Sequence, residues 1–447
     1  MTFRGVPVFP GSDLASDAPK LRRTRRWSWM VSGWFEQLEL PSEGGGTACM
    51  TIGCPTDFVA VRLGFPNVSR RSWKITRAIA RASEGFSDYV TPLGDGMWAP
   101  FTFLHEGVDS PNIVAPGGGP TEIEVRPLYD TPLTAAAGVS WTWTDWTPIR
   151  SLAADPATGM RVLMLRALIP SRQTVTCANG QLRSFTGNRD LNRGHDVLIG
   201  GLKFDLDHVI GPDVDKALTT QTWIDNQLAP GTLFPMVQFL TQRPGIAGIA
   251  TGDSHTQGTA TTEQFFSFSL CATGSLNDAY RNDLPFSMCN CGMGGLTSSE
   301  FFARFETLIR AIQPSYAVLP GWTYNDANGS DRADQTAMNL FLARLIGTIE
   351  TCEASGILPI VLTPFPRNAD TMTDVQLGPW QWLRSEILRM GQQGLTVIDA
   401  TSILANRRAG TFDGTYLPEM SDDEAHPNDA GHLKVGLALA DAVRLFL

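Results

Sequence analysis

Ile246-Ala-Gly-Ile-Ala-Thr251 runs directly into Gly252-Asp-Ser-His-Thr-Gln-Gly258. The first six residues form a short apolar run suited to a buried strand, and the seven that follow are small and polar. Downstream the same alternation repeats. The periodicity predicts a helix over Thr262–Leu270 and an amphipathic helix over Ser299–Ile312, with Phe302, Phe305, Leu308, Ile309 and Ile312 near one face. A strand over Ser315–Leu319 precedes a long helix, Arg332–Ala354, which Gly356 ends. A strand (Ile357–Thr363), a helix (Trp380–Met390), a strand (Leu395–Asp399) and a final helix (Ala430–Phe446) complete the series. Strands alternating with helices of this length predict an α/β fold, a parallel sheet covered on both faces. Such sheets place ligands outside the carboxyl ends of their strands.

Upstream the period changes. Residues 1–240 are β-rich, with short apolar or alternating runs broken by glycine and proline. Ile123 and Val125 alternate with Glu122, Glu124 and Arg126, as in a half-buried strand, and Arg161–Ile169 is a strongly apolar strand candidate. Trp141 and Trp143 would share a strand face, and with Trp146 they read as packing residues more readily than as a sugar platform. Several short strands of this kind predict a sandwich or jelly-roll-like accessory domain over 1–240, ahead of a catalytic domain over 241–447.

The chain has 447 residues, enough for two cores, with 43% hydrophobic and 18% charged residues. Its 43 glycines and 29 prolines argue for many turns. A net charge of -10 speaks against a nucleic-acid partner. The basic cluster Lys20, Arg22, Arg23, Arg25 and Arg26 reads as a solvated arm or first strand. Seven cysteines are too few for a disulfide scaffold, although Cys49 and Cys54 could bridge if the protein is exported. Cys289 and Cys291 form a C-x-C with no second pair and no suitably spaced histidine, so no metal is expected. The opening M-T-F-R-G-V-P-V-F-P lacks the apolar core of a secretory signal, which makes a cytoplasmic location the default; a trimmed chain would read the same way and be exported. No run is long enough to be a transmembrane segment.

Four polar blocks follow the strands in order: Gly252–Gly258; Asn290-Cys-Gly-Met-Gly-Gly295; Gly321-Trp-Thr-Tyr-Asn-Asp326; and Asp423-Glu-Ala-His-Pro-Asn428. Together they resemble the SGNH (GDSL-type) hydrolase superfamily, over residues 246–447. The resemblance implies a flavodoxin-like three-layer domain with Ser254 as nucleophile, His426 as general base and Asp423 as its orienting carboxylate. It also implies an oxyanion hole built from the Ser254 amide, Gly295 and Asn325. Two features depart from the family pattern. His255 stands where small or varied residues are common, and Trp322-Thr-Tyr324 lengthens the third block. His255, Trp322 and Tyr324 are therefore candidate pocket residues. No G-x-S-x-G elbow is present, which sets the chain apart from α/β-hydrolases.

These residue types suit acyl transfer. A serine hydroxyl needs a neighbouring base, and an imidazole can take its proton and return it to a leaving alcohol. Taken singly, Ser254 could be a helix N-cap, Asn325 a turn residue and Asp423 a surface acid; their joint occurrence at successive strand ends favours the site. The expected function is cleavage of a carboxylic ester, with a lean toward acetyl groups on a carbohydrate or other polar small molecule. An acyltransferase with the same triad, a lipid esterase or thioesterase, and a non-catalytic carbohydrate-binding protein are the alternatives. No cofactor is expected, and the oligomeric state is not legible.

Overall fold

The structure is a computed structural model. It describes residues 20–447 except 31–33, 40–45, 68–70, 86–97, 106–112, 116, 127–139, 157–158, 171–172, 180–197, 204–235, 263–266, 281–282, 328–333 and 368–373. The chain divides into two compact units, one formed by 25–191 and 196–245 and the other by 1–24, 192–195 and 246–447.

The described elements of the first unit are strands. Leu198–Lys203, Gly46–Cys54, Arg161–Ile169, Arg77–Ser83 and Ala99–Pro100 lie in that order, each antiparallel to its neighbour. Phe58–Asn67 pairs antiparallel with Ser140–Trp143, with Thr147–Pro148 and with residues 236–241. Alternation decides which side chains are buried: Trp73, Ile75, Ile123 and Val125 are buried, while Lys74 and Glu124 face solvent. The tryptophans pack. The Trp141 and Trp143 rings stack 5.9 Å apart. The buried Arg62 guanidinium lies 4.6 Å from the Trp143 ring and 4.8 Å from that of Trp146, an attraction worth most when desolvated. Its Nε donates to Gln238 Oε1 at 2.6 Å. The basic cluster leads into the strand Thr24–Met30, in which Trp27 is buried. Cys49 and Cys54 do not bridge. Both lie on the strand Gly46–Cys54, whose extended rise separates residues five apart by roughly 17 Å.

In the second unit, residues 246–250 of the strand Met236–Ala250 pair parallel with Phe286–Asn290 on one side and Tyr316–Leu319 on the other. Leu358–Leu362 and Thr396–Ile398 continue the parallel sheet outward. In chain order the strands run 2-1-3-4-5, so the order reverses between the first strand and the third. Every residue of Phe286–Asn290 and Tyr316–Leu319 is buried, which requires cover on both faces. Helices supply it. Phe268–Tyr280 packs with the final helix Asp429–Arg444, while Ser298–Ile312, Gln335–Ala354 and Asp374–Gln392 pack in sequence on one another. The helix expected over 262–270 instead starts at Phe268, and residues 263–266 lie outside the described residues. The helix expected from Trp380 begins at Asp374 and carries Pro379 inside it. Among the described residues, no helix is long and apolar enough to cross a membrane.

Candidate active site

The first strand ends at Ala250, and the chain turns sharply into a single helical turn, Ser254–Gln257. Gly252 makes this turn possible. Its φ of +152° lies where side chains are rarely accommodated, and a Cβ there would fall 2.1 Å from Thr256 Oγ1. Asp253 caps the turn, accepting from the His255 amide at 3.0 Å. Ser254 is therefore the first residue of the turn, not its cap, and its own N–H is one the turn leaves unused.

Asp253 is buried. Its Oδ2 accepts from Thr323 Oγ1 at 2.6 Å, and its Oδ1 lies 3.1 Å from His255 Nδ1. Burial pushes this carboxyl up, but the charge of His255 and the hydrogen bonds from His255 and Thr323 hold it below the usual carboxylate range.

The fourth block presents its residues in a tight turn ahead of the final helix, with Glu424 in the left-handed region at φ +58°. Asp423 Oδ1 accepts from the backbone amides of His426, at 2.7 Å, and Ala425, at 2.9 Å. Its Oδ2 lies 2.8 Å from His426 Nδ1. The other imidazole nitrogen, His426 Nε2, lies 2.9 Å from Ser254 Oγ across 172 residues of sequence. The structure thus brings Ser254, His426 and Asp423 into one hydrogen-bonded chain. Burial raises the Asp423 carboxyl, but hydrogen bonds from His426 and Ala425 outweigh it and hold the group down at about 2. His426 is pushed below the usual imidazole range by burial and by the charge of His255, with Asp423 opposing.

The second block leaves the sheet after Asn290 and lies against the turn that carries Ser254. Met293 N donates to Gly252 O at 3.2 Å, and Gly294 N to Gln257 Oε1 at 2.6 Å. Gly292 permits this approach, since a Cβ there would sit 2.4 Å from Gln257 N. Gly295 follows, exposed, at φ +77°. Asn325 sits in a short 3-10 turn, Tyr324–Ala327, and its Nδ2 donates to Leu296 O at 2.9 Å, tying the third block to the residue after Gly295. An amide nitrogen carries two hydrogens, so one remains for another acceptor. Asp326 anchors the turn by accepting from Ser298 N at 2.7 Å and Ser298 Oγ at 2.5 Å.

The three candidate pocket residues fall in different surroundings. Trp322 is buried against Phe341, ring centres 5.3 Å apart. Tyr324 donates to Phe365 O at 3.0 Å, with the Arg367 guanidinium 4.6 Å from its ring centre. His255 lies beside His426, their ring centres 5.2 Å apart, and edge-on to Phe365 at 5.3 Å. Sequence reasoning did not pick out Phe365 or Arg367. They follow the fourth strand in T-P-F-P-R, a run whose position at a strand end was the available signal. Cys289, on the strand Phe286–Asn290, and Cys291, in the second block, are buried, Sγ to Sγ 3.8 Å. Among the described residues, no three His, Cys, Asp or Glu side chains gather as a metal site would require.

No protein-family model matches this chain, and no curated protein matches it. Solved structures do resemble it over less than half its length. A G-D-S-L family protein from Desulfitobacterium hafniense DCB-2 is 21% identical, covering 44% of this chain and 99% of its own, with a TM-score of 0.35. A GDSL-like lipase from Bacteroides thetaiotaomicron VPI-5482 is 15% identical, covering 45% and 89%, with a TM-score of 0.35. An acetylxylan esterase from Geobacillus stearothermophilus is 17% identical, covering 45% and 94%, with a TM-score of 0.34.

Proposed function

We propose that the chain is a serine hydrolase that cleaves a carboxylic ester through an acyl-enzyme. The observation that carries this reading is the continuous chain Ser254 Oγ, His426 Nε2, His426 Nδ1, Asp423 Oδ2, with contacts of 2.9 and 2.8 Å. As Ser254 Oγ attacks the carbonyl carbon, His426 Nε2 takes its proton. Asp423 holds the other ring nitrogen as a donor and stabilises the imidazolium that results. The tetrahedral oxyanion is met by the Ser254 amide, the Gly295 amide and Asn325 Nδ2, donors that need no reorganisation as charge develops. Collapse expels the alcohol, which receives the proton from His426. Water then attacks the acyl-enzyme with His426 again as base, and the carboxylic acid leaves.

Within this reading we favour a small acyl group on a polar alcohol, a carbohydrate ester among them. The antiparallel strands of the first unit support an accessory domain of sandwich or jelly-roll type. Hydrolysis of aryl esters from acetate to palmitate, with S254A beside the wild type, tests the reading. The expected result is preference for short acyl groups and a loss of about three orders of magnitude or more in kcat for S254A. S254A with wild-type activity would remove the nucleophile assignment, and a preference for long chains would replace the polar substrate with a lipid or thioester.

A further inference from the structure

Among the described residues, His255 is a histidine whose ring packs against that of His426 and that the ester mechanism leaves unused. The residue is buried, 7% exposed, and each ring nitrogen faces an oxygen: Nδ1 lies 3.1 Å from Asp253 Oδ1, and Nε2 lies 3.0 Å from Ala425 O. Neither oxygen can donate, one being an ionised carboxylate and the other a backbone carbonyl. A neutral imidazole carries one N–H and would turn a lone pair toward one of them. The doubly protonated ring donates to both.

The second contact matters because of where Ala425 stands. Its carbonyl belongs to the same peptide unit as the His426 amide, which donates to Asp423 Oδ1 at 2.7 Å. That plane is thus gripped on both edges, by Asp423 on the N–H side and His255 on the C=O side. The grip falls next to Glu424, at φ +58°, a conformation that costs a non-glycine residue energy and must be held by its surroundings. Tyr416 Oη reaches the same carbonyl only at 3.5 Å.

We propose that Asp253 and His255 form a second carboxylate–imidazole pair whose role is positional: donating from both ring nitrogens, His255 ties the cap of the nucleophile turn to the Ala425 carbonyl and so fixes His426 against Ser254. The proposal rests on the triad reading above. His255 is a positioning residue, since it reaches the reacting atoms only through the peptide that carries His426.

A charge at His255 has a further effect. The titratable and charged groups around it are Asp253 on its own turn, Tyr324 of the third block, and His426, Asp423 and Tyr416 at the base turn. Beyond them lie Arg367, stacked on Tyr324, and His432 of the final helix. A cation 5.2 Å from the His426 ring opposes protonation of the base, in line with the downward displacement of His426, where burial is the larger cause and His255 the second. His426 must be neutral to accept the Ser254 proton, so activity is lost as pH falls through its pKa. A neutral residue at 255 moves that acid limb upward.

The experiment uses the full chain, hydrolysing p-nitrophenyl acetate across pH, with H255F and H255Q. H255F keeps an aromatic ring for Phe365 but has no donor; H255Q restores one donor toward Ala425 O without charge. The expected result is a kcat loss of about tenfold or more in H255F with KM within about twofold, recovered largely in H255Q. The acid limb moves up by about half a pH unit or more in both variants. Nitrogen-15 spectra of the wild type, with the His255 signals assigned by their loss in H255Q, should show an N–H at both ring positions. Wild-type kcat and an unmoved acid limb in H255F, failure of H255Q to recover kcat, or a neutral His255 ring would each overturn the proposal. The ring spectrum does not depend on turnover. A wild type without esterase activity would therefore refute the ester reading while His255 was still tested directly.

Discussion

Replacing Asp423 by asparagine separates the electrostatic role of this carboxylate from its structural one. Asp423 Oδ1 accepts two backbone amides, those of Ala425 and His426, and Oδ2 faces His426 Nδ1. Asparagine can keep the backbone pair only by pointing its oxygen there, which leaves its NH₂ toward Nδ1. The opposite flip would set that NH₂ against two backbone donors, at roughly 1–3 kcal/mol for each amide left without an acceptor. The first orientation therefore prevails and forces the wrong tautomer, with the proton on Nε2 and no lone pair for Ser254. A triad in that state loses about 10³–10⁴-fold in kcat, or about 4–5.5 kcal/mol of barrier. The stability cost is smaller. The displacement of Asp423 from 3.8 to about 2 corresponds to roughly 2.4 kcal/mol unscreened. With the side chain 43% exposed, solvent reduces this to about 1 kcal/mol, or about 2–4 °C in Tm for a unit of this size. Because the folded carboxyl lies below its unfolded value, this contribution is full at neutral pH and lost as pH falls through about 2. Steady-state hydrolysis of p-nitrophenyl acetate and thermal unfolding of D423N at neutral pH provide the measurements. Retention of more than about a tenth of wild-type kcat, or a Tm loss large enough to account for the inactivity, would refute the reasoning.

Two further outcomes follow from the same geometry. N325A removes the Nδ2 donor and its bond to Leu296 O, and kcat for an aryl acetate should fall by about 10²–10³-fold with KM little changed; an unchanged kcat would take Asn325 out of the oxyanion hole. G252A places a methyl group 2.1 Å from Thr256 Oγ1 on a backbone at φ +152°. It should destabilise the second unit by about 2 kcal/mol or more, read as a lower denaturant midpoint, whereas a wild-type midpoint would mean that the turn relaxes freely.

Much of the second unit was legible because its helices are long and its strands end in polar blocks. Ser299–Ile312 was placed within one residue of its observed start, since its apolar stripe is wide and Thr297 caps it in a box with Glu300. The strand Phe286–Asn290 was missed, because F-S-M-C-N mixes apolar and small polar residues and owes its burial to its place in the sheet beside the helix Phe268–Tyr280. The hairpin Ala405–Arg408 with Thr411–Tyr416 was missed for the opposite reason: its alternation is interrupted by an irregular register near Asn406. The helix expected from Trp380 begins about a turn and a half earlier, ahead of Pro379, and buries Trp380 and Leu383 fully in the core. At the site, the family resemblance of the four blocks implied a grouping of Ser254, Asp423 and His426, and those three side chains lie in hydrogen-bonding contact. The two-sided hydrogen bonding of His255 was not legible, because its partner at Ala425 is 170 residues away and is a backbone carbonyl, which no side-chain pattern marks.

The contact between Ser254 and His426 spans 172 residues, and every strand of the parallel sheet beyond the first is threaded between them. Under the serine-hydrolase reading proposed above, a chain emerging from a ribosome carries Ser254 long before it carries His426. In that interval the serine is an ordinary alcohol with no base beside it. The contact forms only when the fourth block closes onto the first, so the onset of ester hydrolysis in a translation extract would serve as a clock for the closing of the fold.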